Sequence, residues 1–319
     1  MHDTAAIGVD VGGTATKAGV ISRTGEIFLR AERPTDPQAG TKGIIGVVET
    51  LLEQSSAESI SIAAIGVGAA GFVDALKGSV TFSPNLVYDD PHIAEALTAR
   101  TSLPALVDND ANAAAWGEYC FGSAKGAANL AFITLGTGVG SGFVVNGDLL
   151  RGAHGAGAEL GHMVIDPSGP HCPCGLKGCL EQFASGGAIE RWAREAVEKD
   201  PSSSILAFAG SASEITGEHV TQAAREYDET ARAVLRRAGN ALGVGLSNVV
   251  NLFEPEAIVL GGSVVRAGEP FLGPARDRLS TMLTAQRRRP ARLDVTSLGN
   301  DAGVMGAGML ALAMVDKEN

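Results

Sequence analysis

Ile7-Gly-Val-Asp10-Val-Gly12-Gly13-Thr14 starts as a short apolar run, reaches an acid, and then breaks into two glycines and a hydroxyl. A second apolar run resumes at Lys17 to Ile21 and stops at the turn Thr24-Gly25. Two such runs joined by glycines predict a β-hairpin. Glycines let backbone N–H groups approach phosphate oxygens with no Cβ in the way, and Thr14 adds a side-chain donor. Asp10, at the strand end, can hold Mg2+ through water, because magnesium prefers oxygen ligands and keeps part of its hydration shell. An ordinary tight turn would use the same glycines, so the hairpin alone decides nothing. It is not a Walker A loop, since no Gly-Lys-Ser/Thr follows, and a dinucleotide fingerprint would lead into a helix, not a second strand.

The pattern recurs further along. Leu130 to Leu135 and Gly142 to Val145 read as strands joined across Gly136-Thr137-Gly138-Val139-Gly140, and Gly261-Gly262 follows a third apolar strand, Ile258 to Leu260. Between these, Ile44 to Glu53 and Ile93 to Arg100 have helical spacing, while Ile62 to Gly68 and Ala105 to Val107 read as strands. Ser185 to Leu252 is mostly helical, interrupted at Pro201 to Ser204, and a last helix follows Asp301. Strands alternating with helices predict an α/β architecture, and the duplicated strand–glycine turn–strand predicts two related halves facing a cleft. Three glycine turns in this order resemble the phosphate and adenosine motifs of the actin-like ATPase superfamily, whose core is ribonuclease H-like. A small domain of residues 1–112 plus 302–319 and a large one of 113–301, carrying a loop over 162–181, are the expected division.

Composition narrows the partners. With 319 residues and 45% hydrophobic content the chain can bury two modest cores, and a net charge of -11 disfavours a phosphate-neutralising surface for nucleic acid. Met1 to Val11 lacks the basic start and long apolar run of a signal peptide, and no later stretch is long and glycine-free enough to span a bilayer. A cytoplasmic protein with a small ligand, and with no nucleic-acid or membrane partner, is expected.

Three of the four cysteines fall in one short loop. His162 precedes Cys172-Pro-Cys174-Gly175-Leu-Lys-Gly178-Cys179, a set of one imidazole and three thiols with glycines that let the chain close round an ion. In a reducing compartment such clustering favours metal over disulfides. A closed tetrahedral Cys₃His shell suits Zn2+ and leaves no position for a water, so the metal is expected to be structural. Cys120, next to Phe121, reads as a small core residue.

Acids cluster around these features. Asn109-Asp110 closes one strand and opens the helical segment Ala111 to Tyr119, where Asp110 serves either as a helix N-cap or as a catalytic group at a strand end. Glu159-Leu-Gly161-His162 and Glu181, two residues after Cys179, set two more acids against the proposed metal loop, where carboxylates can accept hydrogen bonds from sugar hydroxyls.

With these residues in view, the chain resembles the ROK family (repressor, ORF, kinase) over essentially its whole length, and within it the bacterial glucokinases most. Asp10-Val-Gly-Gly-Thr14, Pro84-Asn85, Asn109-Asp110-Ala-Asn112, Leu135-Gly-Thr-Gly-Val-Gly140, Glu159-Leu-Gly-His162 and Cys172-x-Cys-Gly-x-x-Gly-Cys179-x-Glu181 carry the resemblance. It implies ATP-dependent phosphorylation of a hexose 6-hydroxyl, with glucose the first substrate and N-acetylmannosamine, fructose or allose as alternatives. Asp110 would be the general base, and Asn85, Asn109, Glu159, His162 and Glu181 would contact sugar hydroxyls. Zinc would be bound by His162, Cys172, Cys174 and Cys179, with the second ring nitrogen of His162 facing the sugar. Gly12, Gly13, Thr14, Gly136, Thr137, Gly138, Gly261 and Gly262 would hold ATP with its Mg2+.

Relatives are commonly homodimers or homotetramers. Polyphosphate-dependent relatives generally lack the cysteine loop. Repressors of the family carry an N-terminal helix-turn-helix, which is not expected where the phosphate turn begins at Asp10, although a sugar-binding regulator without that module stays open. At position 17 many family kinases have an apolar residue. Lys17 stands there, with no role assigned by the resemblance.

Overall fold

The computed structural model describes residues 4–83, 86–283 and 290–318. Asn85, a predicted sugar contact, lies outside them.

The chain separates into two compact units, one of Met1–Phe132, Gly142–Ala158 and Thr296–Asn319, the other of Ile133–Ser141 and Glu159–Val295. In the first unit the predicted hairpin is β1 (Ala5–Val11) and β2 (Ala15–Ile21), continued by β3 (Ile27–Pro34). Helix α1 (Gly40–Ala57) leads to β4 (Ile62–Ala69), the small hairpin β5 (Phe72–Asp74) and β6 (Ser79–Phe82), helix α2 (Ile93–Thr101), β7 (Ala105–Asn109) and α3 (Asp110–Cys120). The sheet order is β3-β2-β1-β4-β7, with β1, β4 and β7 parallel.

The period-2 geometry of β1 explains how both faces of this sheet are covered. Ala5, Ile7, Val9 and Val11 bury against Ile44, Val47, Val48 and Leu51 of α1. The other face is nearly bare of side chains: Ala6 and Ala64 meet Ala311 and Leu312 of the C-terminal helix. A Cβ on Gly8 would lie 2.0 Å from Val304 O, and one on Gly66 would lie 1.9 Å from Ala307 O, so that helix seats at backbone contact.

The second sheet has the order β10-β9-β8-β11-β12. Its strands are β8 (Leu130–Leu135), β9 (Val139–Val145), β10 (Asp148–Leu149), β11 (Ala257–Gly261) and β12 (Arg292–Val295). Strand β9 starts three residues earlier than its glycines suggested, which tightens the glycine turn to Gly136-Thr137-Gly138. The helical middle divides into α4 (Glu181–Ala184), α5 (Gly186–Lys199), α6 (Ser204–Ala209), α7 (Gly217–Arg225) and α8 (Glu229–Phe253), with the expected break between α5 and α6. Helix α8 is capped by Asp228, which accepts from Ala231 N–H, and buries Val234, Leu235, Ala238, Leu242 and Leu246 on one stripe. Helices α9 (Glu269–Met282) and α10 (Ala302–Glu318) complete the chain. Among the described residues no helix is long and apolar enough to cross a membrane. Cys120 is half-buried and not a core residue.

Candidate active site and metal centre

Asp110 is the first residue of α3, and the helix is capped by its neighbour instead. The Asn109 side chain accepts from Ala111 N–H at 2.9 Å and Asn112 N–H at 3.2 Å, while its amide nitrogen donates to Gly71 O at 3.1 Å. Capping is thereby taken off Asp110, whose carboxylate also accepts from Ala111 N–H at 2.9 Å. Burial pushes the Asp110 pKa up to about 6, against the pull of the Ala111 N–H and of Asn109. Asp10, at the end of β1, is raised to about 7 by burial and by the charge of Asp110, with Lys17 pulling the other way. Two half-buried carboxylates within reach of each other's charge form a site that a dication would stabilise.

Behind them lies a network that residue-by-residue reading of the sequence missed. Asp108 is buried and accepts from Asn109 N–H, from the Asn112 amide at 2.9 Å, and from Arg151 Nε at 2.7 Å. It thus ties the start of α3 to the segment that leads towards Glu159. The signal available was an acid inside Asp108-Asn-Asp-Ala-Asn112, whose partner 43 residues away no local pattern could supply.

The first glycine turn closes with Gly12 N–H donating to Ala15 O at 3.0 Å, and Gly13 and Thr14 are exposed. The second closes in the same way, Gly136 N–H to Gly138 O at 3.0 Å. Gly262 follows β11 with φ +87°, and a Cβ there would lie 2.3 Å from Leu135 O, so only glycine lets β11 end against β8. Beside the second turn and Gly262 is a cavity of about 490 Å³, lined by Gly136, Thr137, Ser263 and Val264, by Gly186 and Gly187 at the start of α5, and by Thr221 and Gln222 of α7. Its volume suits a small ligand. Ser185-Gly186-Gly187 at a helix start was a legible anion-binding signal; the α7 residues carried none.

The four predicted metal ligands converge. The ligand atoms of His162, Cys172, Cys174 and Cys179 all lie within 4.8 Å of one another. Cys172 Sγ is 3.7 Å from His162 Nδ1, and Cys174 Sγ is 3.6 Å from Cys179 Sγ. Ligands about 2.3 Å from a tetrahedral zinc would be about 3.8 Å apart, which these two separations match, so the set is compatible with the ion. Backbone bonds brace the loop: Cys172 N–H to Leu176 O at 2.8 Å, Gly178 N–H to Pro170 O at 2.8 Å and Leu180 N–H to Met163 O at 2.9 Å. Because Nδ1 faces the thiols, Nε2 is the nitrogen of His162 left for another partner.

Glu159 sits just before the 3-10 turn Leu160–His162, after Ala158 at φ +67°. Leu160 N–H donates to Ser141 Oγ at 3.0 Å and His162 N–H to Glu159 O at 3.1 Å, so Glu159 and His162 share one braced turn. Glu181, the first residue of α4, accepts from Val139 N–H at 3.0 Å. In the second unit Glu159, Glu181 and the four predicted metal ligands, His162 among them, are therefore built on one loop system; Asp10, Asn109 and Asp110 are gathered in the first.

Carboxylates at strand ends, paired glycine turns and duplicated α/β sheets are the parts of the actin-like ATPase fold. A family model narrows this: the ROK family matches residues 6–314, and the chain belongs to that family. It is 39% identical over 311 residues to a glucokinase of Streptomyces coelicolor, covering 96% of each chain. To a glucokinase of Thermotoga maritima it is 38% identical over 308 residues, covering 95% of this chain and 96% of the other. The crystal structure of a ROK glucokinase from Streptomyces griseus, in complex with glucose and AMPPNP, superposes with a TM-score of 0.82 at 37% identity, covering 97% of this chain and 99% of that one.

Proposed function

We propose that this protein is a glucokinase, transferring the γ-phosphoryl group of ATP to the 6-hydroxyl of glucose to give glucose 6-phosphate and ADP. The observation that carries the mechanism is Asp110: a carboxyl at a helix start, relieved of capping by Asn109, with its pKa raised to about 6. A base tuned towards neutrality takes a hydroxyl proton more readily than an ordinary aspartate. Similarity to the three glucokinases over almost the full chain supports the choice of substrate and donor.

In this reading Asn109, Glu159, His162 and Glu181, with Asn85, bind the sugar hydroxyls and fix the 6-hydroxyl beside Asp110. The Asn109 side chain is fixed for this role by its amide nitrogen on Gly71 O and its oxygen on Ala111 N–H. Asp110 accepts the proton as the new O–P bond forms and the bond to the β-phosphate oxygen breaks, releasing ADP. Backbone N–H groups of Gly13, Thr14, Thr137 and Gly138 cradle the phosphates, in turns that Gly12 and Gly136 close with their own N–H groups, and the cavity beside Gly261-Gly262 takes the nucleoside. His162, Cys172, Cys174 and Cys179 would hold a structural Zn2+ that orders the loop and orients His162 Nε2. Mg2+ would accompany ATP near Asp10, supplying charge neutralisation on the phosphates. A cytoplasmic homodimer or homotetramer belongs to the same reading.

A coupled assay with ATP tests it against glucose, fructose, allose, mannose and N-acetylmannosamine, with GTP, ITP and polyphosphate as other donors. Glucose with ATP is expected to give the highest kcat/KM. Faster turnover of another sugar would replace glucose, and turnover of none would leave a sugar-binding regulator.

A further inference from the structure

Lys17 stands directly opposite Asp10 across the β1–β2 hairpin, so the two side chains share a face of the sheet. On that face Ala6, Gly8 and Asp10 form one row and Ile21, Gly19 and Lys17 the next, both running under α10. Ile21 packs on Val304 and Met305, and a Cβ on Gly19 would be 3.2 Å from Val304 Cγ1. Asp10 and Lys17 are the pair at the end of these rows, where α10 begins: a Cβ on Gly303 would lie 2.7 Å from the Asp10 carboxyl carbon. Lys17 is half-buried, yet among the described residues no ion pair within 4 Å involves it. Its acidic neighbours are Asp10 and, across the next strand pair, the exposed Glu32, and Asp110 adds its charge at Asp10. Asp301 is held by Arg30, at 2.8 Å through the second guanidinium nitrogen. The exposed turn Gly13-Thr14 lies between Asp10 and Lys17 in sequence.

We infer that Lys17 is a phosphate ligand for the donor nucleotide, its ammonium taking an oxygen of the terminal phosphates above the Gly12-Gly13-Thr14 turn. A lysine that closes on neither acid keeps its donors for an anion arriving at this turn, and a compact ammonium suits a phosphate oxygen. The start of α10 adds its own positive field at the same end of the hairpin. The ligand's identity rests on the kinase reading.

Titration of the full-length protein with Mg-AMPPNP and with AMP separates terminal-phosphate contact from nucleoside binding. Lys17→Met is expected to weaken Mg-AMPPNP about tenfold, to leave AMP within twofold of wild type, and to leave glucose affinity unchanged; Lys17→Arg should recover most of the loss. Lys17→Gln replaces the methionine variant if that one melts early. Wild-type affinity for Mg-AMPPNP in the uncharged variants, or an equal loss for AMP, would overturn the assignment. A wild-type chain that binds Mg-AMPPNP but phosphorylates no sugar would end the kinase reading and leave the lysine test intact. A working kinase whose Lys17→Met variant binds normally would end the lysine's role alone.

Discussion

Glu181 Oε2 accepts the Val139 N–H at 3.0 Å and fills the space where a Cβ on residue 138 would stand, 2.4 Å away. A proposed sugar contact and the second glycine turn thus share one hydrogen bond, and Gly138 is glycine because the carboxylate is there. Gly136, two residues earlier, has nothing within 4 Å of its Cβ position.

Gly138→Ala is therefore expected to displace Glu181 and raise the KM for glucose about tenfold or more, through misplacement of a sugar contact. Gly136→Ala should leave glucose KM near wild type and affect ATP alone. Steady-state kinetics with each substrate varied checks the split; equal effects of the two variants on glucose would refute the shared bond.

Asp110→Asn should lower kcat by about 10²–10⁴-fold while glucose binding stays measurable by calorimetry. In the wild-type chain the base form of Asp110 exists above a pKa of about 6, so kcat/KM for glucose should fall about tenfold per pH unit below that value. A flat profile down to pH 5 would remove Asp110 as the base.

The same raised pKa has a cost in stability with a defined sign. Between the ordinary value of 3.8 and about 6, the folded chain keeps a proton on Asp110 that the unfolded chain has lost. Stability thus falls as pH rises through this window, and the penalty is complete above about 6. Asp110→Asn carries no charge and should raise Tm by about 1–3 °C at pH 8 in the absence of ligands, with the gain shrinking towards pH 4. An unchanged or lower Tm at pH 8 would count against the desolvated carboxylate.

Protein purified without chelator should contain about one equivalent of zinc per chain, and Cys179→Ser should lose the metal and melt earlier by several degrees. Because His162 belongs to the same cluster, glucose affinity should fall with the metal. Less than about half an equivalent of zinc in the wild-type chain would refute the closed site.

The local chemistry was legible because it was written in contiguous residues. The hairpin of Asp10 to Thr14, the second glycine turn, the Cys172 to Cys179 loop and the helix start at Asp110 each depend on neighbours within a few positions, where turn geometry and ligand spacing act. Strands β3 and β12 carried no such mark: both are edge strands, and exposed positions such as Glu32 and Arg33 mask the alternation. Helix α9 contains Pro274 and was equally silent.

Sequence by itself determined the fold class, the cysteine–histidine cluster and the candidate acids, since residue type and spacing limit what backbone and metal chemistry can do. Only the tertiary structure decided which neighbour caps α3, that Asp108 joins Arg151, that Glu181 holds Val139, and that Lys17 ends a row beside Asp10 and, among the described residues, closes on no acid. The Asp108–Arg151 and Glu181–Val139 pairings join residues about 40 positions apart, which no local propensity encodes, and the cap and the hairpin pair depend on side-chain geometry and strand register that residue type alone leaves open.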